Sequence, residues 1–247
     1  MNRIGKALPI LFWLLIWEAA ARLINSRLLL ASPVTVLLRL GELMRTPRFW
    51  LTVGNSAWRI ALGFLLAALL ALALAVCADR QRAVRALLAP MVSAMRSIPV
   101  ASFIVLALIW FTSRRLSLLI AFLVAFPVLY TAVQDALSQR DAALHVMAAA
   151  FGVRGFRRWR YLDAFELLPG LRTAVRTAVG MCVRAGVASE ILGVPRLTIG
   201  EALQQAKLYL NTADVLAWTA AVLLLGWAFE RLAVGALRFI ENKALSF

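Results

Sequence analysis

Two stretches of this chain, Ile60 to Ala78 and Leu116 to Gln134, contain no charged side chain. Each is about the 20 residues that an α-helix needs to cross a hydrocarbon core. In lipid every backbone N–H and C=O must find its partner inside the protein, so a chain built of such blocks spans as helices. A third charge-free run covers Ser97 to Ser113 and a fourth Val215 to Phe229, and Ala7 to Ile24 is interrupted only by Glu18 and Arg22. Thr173 to Leu192 is a weaker candidate, since it carries Arg176, Arg184 and Glu190. The expected fold is all-α and integral to the membrane, with about six transmembrane helices and both termini on one side.

Composition agrees. With 63% hydrophobic and 16% charged residues, the chain lies outside soluble averages. A net charge of +15 raises the question of nucleic acid, which needs basic residues on a solvent face with groove-reading or stacking elements. Here the basic residues cap apolar runs, so orientation and contact with anionic lipid explain them, and no nucleic-acid partner is expected. Cys77 and Cys182 both lie inside expected spans without metal-ligand or redox spacing. Arg3 and Lys6 precede the first apolar run, but that run is too long for a signal-peptide core and lacks a small-residue cleavage pattern, so it is expected to stay as a span.

A cytoplasmic N-terminus would place Arg80, Arg82, Arg85, Arg140, Arg154, Arg157, Arg158, Arg160, Arg172, Arg176, Arg238 and Lys243 inside, against Arg27, Arg39, Arg45, Arg48, Arg114 and Arg115 outside. That is a modest positive-inside bias, consistent with a bacterial cytoplasmic-membrane protein with both termini cytoplasmic. Between the first two spans, Ser32 is placed to N-cap a helix whose first residue is Pro33. Val36, Leu37, Leu40, Leu43 and Met44 then share a face. That helix either lies in the outer interface or packs on the bundle.

The longest polar interruption, roughly Ser138 to Leu167, exceeds what a turn between two spans requires. Asp141 to Ala150 reads as a helix, Gly152 as a bend, and Arg154 to Leu162 as a second short helix with Phe156 and Trp159 on one face. Arg154, Arg157, Arg158 and Arg160 surround that pair, and Leu168-Pro169-Gly170 is expected to end the insertion. An aromatic pair ringed by arginines has the make-up of a protein-binding hot spot, and a basic helix resting on anionic lipid has the same composition.

The run Ala148-Ala149-Ala150-Phe151-Gly152-Val153-Arg154, with Leu168-Pro169-Gly170 downstream, resembles the cytoplasmic EAA loop of binding-protein-dependent ABC importer permeases. Arg96-Ser97-Ile98-Pro99-Val100 with Leu108-Ile109-Trp110-Phe111, and Val187-Ala188-Ser189-Glu190-Ile191-Leu192-Gly193, are similar to the third-span and fifth-span regions of the nitrate, sulfonate and taurine group. Ser32-Pro33, Arg59 with Gly63-Phe64, and Pro127 also match, so the resemblance covers roughly residues 28 to 240. It implies a type I importer transmembrane domain over 51–240 with a coupling loop near 138–170, preceded by an N-terminal span and amphipathic helix over 1–50 and followed by a cytoplasmic tail at 241–247.

By that resemblance Ala148, Ala149, Gly152, Arg154, Phe156, Trp159, Arg160, Leu168 and Pro169 would couple to cytoplasmic ATPase subunits. The chain departs from the pattern at Val146 and Met147, where the family has Glu and its first Ala, and at Phe165, where it has Pro. The implied partners are those ATPases, an extracytoplasmic solute-binding protein and a second permease copy. The solute would be small and anionic, such as a sulfonate, taurine or nitrate, with bicarbonate or a thiamine precursor as alternatives.

Arg96, Ser97, Pro99, Arg184 and Glu190 are the expected pathway residues, because an ionisable group in or at the edge of a span must find water, a counter-charge or a ligand. Arg184 either lines the path or pairs with Glu190 or snorkels. His145 has no carboxylate-and-serine arrangement and reads as a helix-surface residue. The chain has no Gly-x-x-x-x-Gly-Lys-Ser/Thr run, so a non-catalytic subunit is expected, with ATP and magnesium used by a partner and no cofactor of its own. The rival classes are a secondary transporter or channel and a membrane scaffold that recruits an ATPase.

Overall fold

The computed structural model describes residues 3–24, 26, 28–153, 155–158, 162 and 164–245, with the side chains at 3–7, 10, 156, 164, 165, 240 and 242–245 left undescribed. Among these residues there are eleven α-helices and no strand. They are α1 (Arg3–Ile24), α2 (Pro33–Met44), α3 (Pro47–Arg80), α4 (Arg82–Ser97), α5 (Val100–Trp110), α6 (Ser113–Ser138), α7 (Ala142–Ala150), α8 (Gly155–Arg158), α9 (Ala164–Gly193), α10 (Ile199–Leu208) and α11 (Thr212–Leu245).

The centre of the bundle is α6, which packs on α3 along one side and on α9 along the other. On α3, Ala67, Ala71, Ala75 and Ala78 recur every turn and are buried. Small residues at that spacing let two backbones approach, the means by which helices associate where no hydrophobic effect drives them together. The closest approach is at Gly63, where any Cβ would run into the Leu118 carbonyl of α6. Gln134 on α6 donates to the Ala75 carbonyl at 2.6 Å, which satisfies a polar group that would otherwise be stranded in the core. Helix α11 covers α9 and α2.

Among the described residues three helices are long and apolar enough to cross a membrane, over Pro47–Arg80, Ser113–Ser138 and Thr212–Phe239. Helices α4 and α5 would make a fourth if taken together, but they meet at a bend of 104°. The run Ser97 to Ser113, expected as one span, is therefore broken. The proline at Pro99 pushes the preceding residue out of the helical region, and Ile98 adopts ψ 130°, which leaves α5 only 11 residues. Helices α1 and α9 are 22 and 30 residues long and carry charges, with Glu18 and Arg22 of α1 paired at 2.8 Å.

Ser32 caps α2 by accepting from the Thr35 N–H, and Pro33 opens it. Val36 and Leu40 are buried while Leu37 is 65% exposed, so the helix packs on the bundle along a narrow stripe. Arg39 forks onto Asp214 of α11 and also reaches Glu42 at 2.8 Å. The hydrogen bond to Asp214 first, then that to Glu42, raises the Arg39 pKa further. The segment 241–245, expected as a tail, continues α11 without a break.

Candidate coupling segment and translocation face

The segment between α6 and α9 is a helix, a glycine turn and a short helix. Asp141 caps α7 by accepting from the Ala143 N–H at 2.8 Å. At the other end the Gly152 N–H donates to the Ala149 carbonyl at 3.1 Å and the Val153 N–H to the Ala148 carbonyl at 2.9 Å. This pair of bonds is a Schellman stop, which needs a left-handed residue just past the helix. Gly152 supplies it, with φ 71°. Ala148 is buried and Ala149 exposed. Arg154, Trp159 and Arg160 lie outside the described residues, as does the Phe156 side chain.

Two ties fix this segment to the bundle. Arg140 donates to Asp79 at the end of α3 at 3.0 Å, and His145 Nε2 lies 3.4 Å from Glu166 in the first turn of α9. Leu168, Pro169 and Gly170, expected to end the insertion, lie inside α9, which begins at Ala164. Pro169 forfeits one backbone hydrogen bond, but the helix is carried through it by packing, with Leu167 buried. Farther along, Arg172 pairs with Glu241 and Arg176 lies 3.6 Å from Glu230, joining the start of α9 to α11.

The outward face of the segment is apolar. Phe151 is 80% exposed, Val146 71% and Met147 52%. Neither Phe151 nor the two positions that depart from the EAA pattern stood out in the sequence as contact residues. The signal was there: these are apolar residues within a polar, helix-capped insertion, and exposed apolar groups of this kind mark a contact surface.

A second feature faces away from α11. Arg85, Ser93, Arg96 and Ser97 of α4 and Tyr130, Thr131 and Gln134 of α6 line a cavity of about 400 Å³. Thr131 also lines a neighbouring cavity of about 720 Å³ with Asp135, Gln139, Pro169, Thr173 and Thr177. On α9, Thr173, Thr177, Met181, Arg184 and Ala188 form an exposed row at helical spacing. Arg184 turns its Nε onto the Gly180 carbonyl at 3.1 Å. The face thus carries hydroxyls and the arginines Arg85, Arg96 and Arg184 together with the carboxylates of Asp135, Asp141 and Glu166 at the larger cavity, and small polar solutes are chemically suited to it. Pro99 is exposed at the α4–α5 bend.

Glu190 is not paired with Arg184. It is wholly buried, and its Oε2 accepts from Ser56 Oγ at 2.7 Å and from the Gly200 N–H at 3.3 Å. Ser56, Gly200 and Arg59, which also faces the carboxyl, carried no sequence signal for this cluster, because they are brought to Glu190 from 134, 10 and 131 positions away only by the packing of α3 and α10 on α9. Among the described residues no group of three or more His, Cys, Asp or Glu is placed to hold a metal ion.

No family model matches the chain. It is 26% identical over 246 residues, 98% of its length and 87% of the relative's, to a protein of Bacillus subtilis named as an aliphatic sulfonates transport permease. It is also 26% identical over 225 residues, 87% of its length and 80% of the relative's, to the taurine transport system permease of Escherichia coli. The chain is a homologue of ABC-type transport permeases of the sulfonate and taurine group.

Proposed function

We propose that the chain is the permease subunit of an ATP-driven importer and passes a small sulfonate, taurine or a short alkanesulfonate, across the cytoplasmic membrane. The observation that carries this reading is the arginine-bearing cavity between α4 and α6, in a chain similar over 98% and 87% of its length to a sulfonate and a taurine permease. A sulfonate needs its negative charge offset when it leaves water, and Arg85 and Arg96 at the cavity between α4 and α6 are placed to do so.

On this reading a second permease copy covers the face that carries this cavity, so that the path runs between two copies, and α1 and α9 join the apolar helices as spans. The 142–158 segment is cytoplasmic and seats an ATPase subunit through Phe151, Val146 and Met147, with Phe156, Trp159 and the arginines beside them. The ends of α9 and α10 far from that segment face the solute-binding protein. Specificity then resides largely in the binding protein, and this chain performs no hydrolysis.

The test is uptake of radiolabelled taurine and ethanesulfonate into proteoliposomes that hold the permease with its ATPase, binding protein outside and ATP inside. Uptake that requires all three supports the reading. A gradient-driven transporter would use a carboxylate inside the bundle, and Glu190 is one. Uptake that follows a proton or sodium gradient without the ATPase would favour that second class.

A further inference from the structure

Helix α9 runs unbroken for 30 residues, from the coupling segment to Glu190 in its last turn, a length of about 45 Å. At that far end the chain turns through Val194 and Leu197, both at positive φ (44° and 55°). Non-glycine residues in this region are strained and persist only where surrounding contacts over-determine them. Those contacts come from α3 and α9, and from α10 through Glu201, which accepts from the Leu197 N–H at 2.6 Å. Asn55 Nδ2 of α3 donates to the Leu197 carbonyl at 3.2 Å. Ser56 accepts from the Ile199 N–H at 2.9 Å while donating to Glu190, and the Gly200 N–H closes onto the same carboxylate oxygen. A Cβ at Gly200 would run into the Glu190 backbone, so the first turn of α10 lies directly against α9.

The carboxylate is a costly way to make this joint. Its other oxygen, Oε1, is buried, and Ser117 and Arg59 also face the carboxyl. A carboxyl buried in this way is often no more stabilising than an apolar side chain of similar volume would be. What a leucine could not do is hold α3, α9 and α10 in one register.

We propose that Glu190 is a positioning residue for transport: with Ser56 it locks the far end of α9 to α3 and to the first turn of α10, so that a displacement of α9 at its Pro169 end reaches the opposite mouth as movement of the 194–203 turn. The functional half of this rests on the importer reading; the mechanical half does not. The joint is a rigid link between the two ends of the chain, and its strength is set by the carboxylate rather than by packing.

The test compares Glu190→Leu, Glu190→Gln and Ser56→Ala in the full-length permease in lipid nanodiscs, then in proteoliposomes with the ATPase and binding protein. Amide hydrogen exchange of Gly200, whose N–H donates to Glu190, should accelerate roughly tenfold or more in Glu190→Leu, the equivalent of losing one buried hydrogen bond, while the melting temperature holds or rises, and that of Ile199, whose N–H donates to Ser56, should accelerate likewise in Ser56→Ala. Glu190→Gln, which keeps an acceptor for Ser56 and Gly200, should stay within about twofold of wild type. Taurine taken up per ATP hydrolysed should fall in Glu190→Leu and Ser56→Ala and be rescued in Glu190→Gln. Unchanged exchange in both Glu190→Leu and Ser56→Ala overturns the joint. Faster exchange with normal uptake per ATP overturns its role in transport. If wild type itself moves neither taurine nor ethanesulfonate, the importer reading fails while the exchange comparison still decides whether Glu190 holds α10.

Discussion

Arg140 and Asp79 are joined at 3.0 Å across 61 positions, and this bond ties the second residue after α6 to the last turn of α3. Both side chains are partly exposed, at 21% and 28%, so the pair contributes little to global stability, roughly 1 kcal/mol or less. Its effect is local. Asp79→Asn should leave the melting temperature within a degree or two and raise hydrogen exchange over 139–153, because the ion pair between the segment and α3 is lost. Exchange confined to wild-type values would show that the tie is not what orders the segment.

Gly152 should accept no β-branched residue. Its φ of 71° is open to glycine and tolerable for asparagine, and a Cβ there meets nothing within 4 Å, so the cost of substitution is backbone strain, about 1–2 kcal/mol for an L-residue. Gly152→Val should insert and fold but misdirect the segment after α7, and Gly152→Asn should be close to wild type. The readout is ATP hydrolysis stimulated by solute and binding protein, at matched permease levels.

Phe151 of the coupling segment is 80% exposed. If it is an anchor in a partner's groove, Phe151→Ala should weaken ATPase binding by about 2 kcal/mol, a thirtyfold loss or more. A change of less than threefold by pull-down or titration would assign the docking energy to Phe156 and Trp159 instead.

Much of this was legible in the sequence, and the reasons differ by element. The charge-free runs at 60–78 and 116–134 reappear inside α3 and α6, since length and apolarity alone determine a span. Ser32-Pro33, Asp141 and Gly152 act through their own backbone and so were readable one residue at a time. Where an outcome depended on distant packing, local rules misled. Pro99 ends a helix but Pro169 does not, because Leu167 packs into the core beside the second proline. Arg184 and Glu190, six residues apart on α9, left a pairing open beside a pathway or snorkelling role for Arg184. Glu190 instead meets Ser56 and Gly200, contacts that only the docking of α3 and α10 creates.

At Gly63 the space is closed by the Leu118 carbonyl of α6. Gly63→Ala should force α3 and α6 apart and lower stability by about 1–3 kcal/mol, seen as a drop in detergent melting temperature and in folded yield. Gly54, where a Cβ meets nothing within 4 Å, is the control, and Gly54→Ala should be neutral or slightly stabilising.

Arg96 is exposed at the cavity between α4 and α6, so Arg96→Gln should leave folding unchanged and cut sulfonate uptake at least tenfold if its charge offsets that of the solute. Equal uptake in the variant would remove Arg96 from the path.

The most direct measurement is taurine and ethanesulfonate accumulation in proteoliposomes containing wild-type permease, its ATPase and external binding protein, with ATP or a non-hydrolysable analogue inside. Accumulation against a gradient is expected with ATP, none with the analogue, and none when the ATPase or the binding protein is left out. Accumulation that persists without the ATPase, driven by an imposed ion gradient, would contradict an ATP-driven permease.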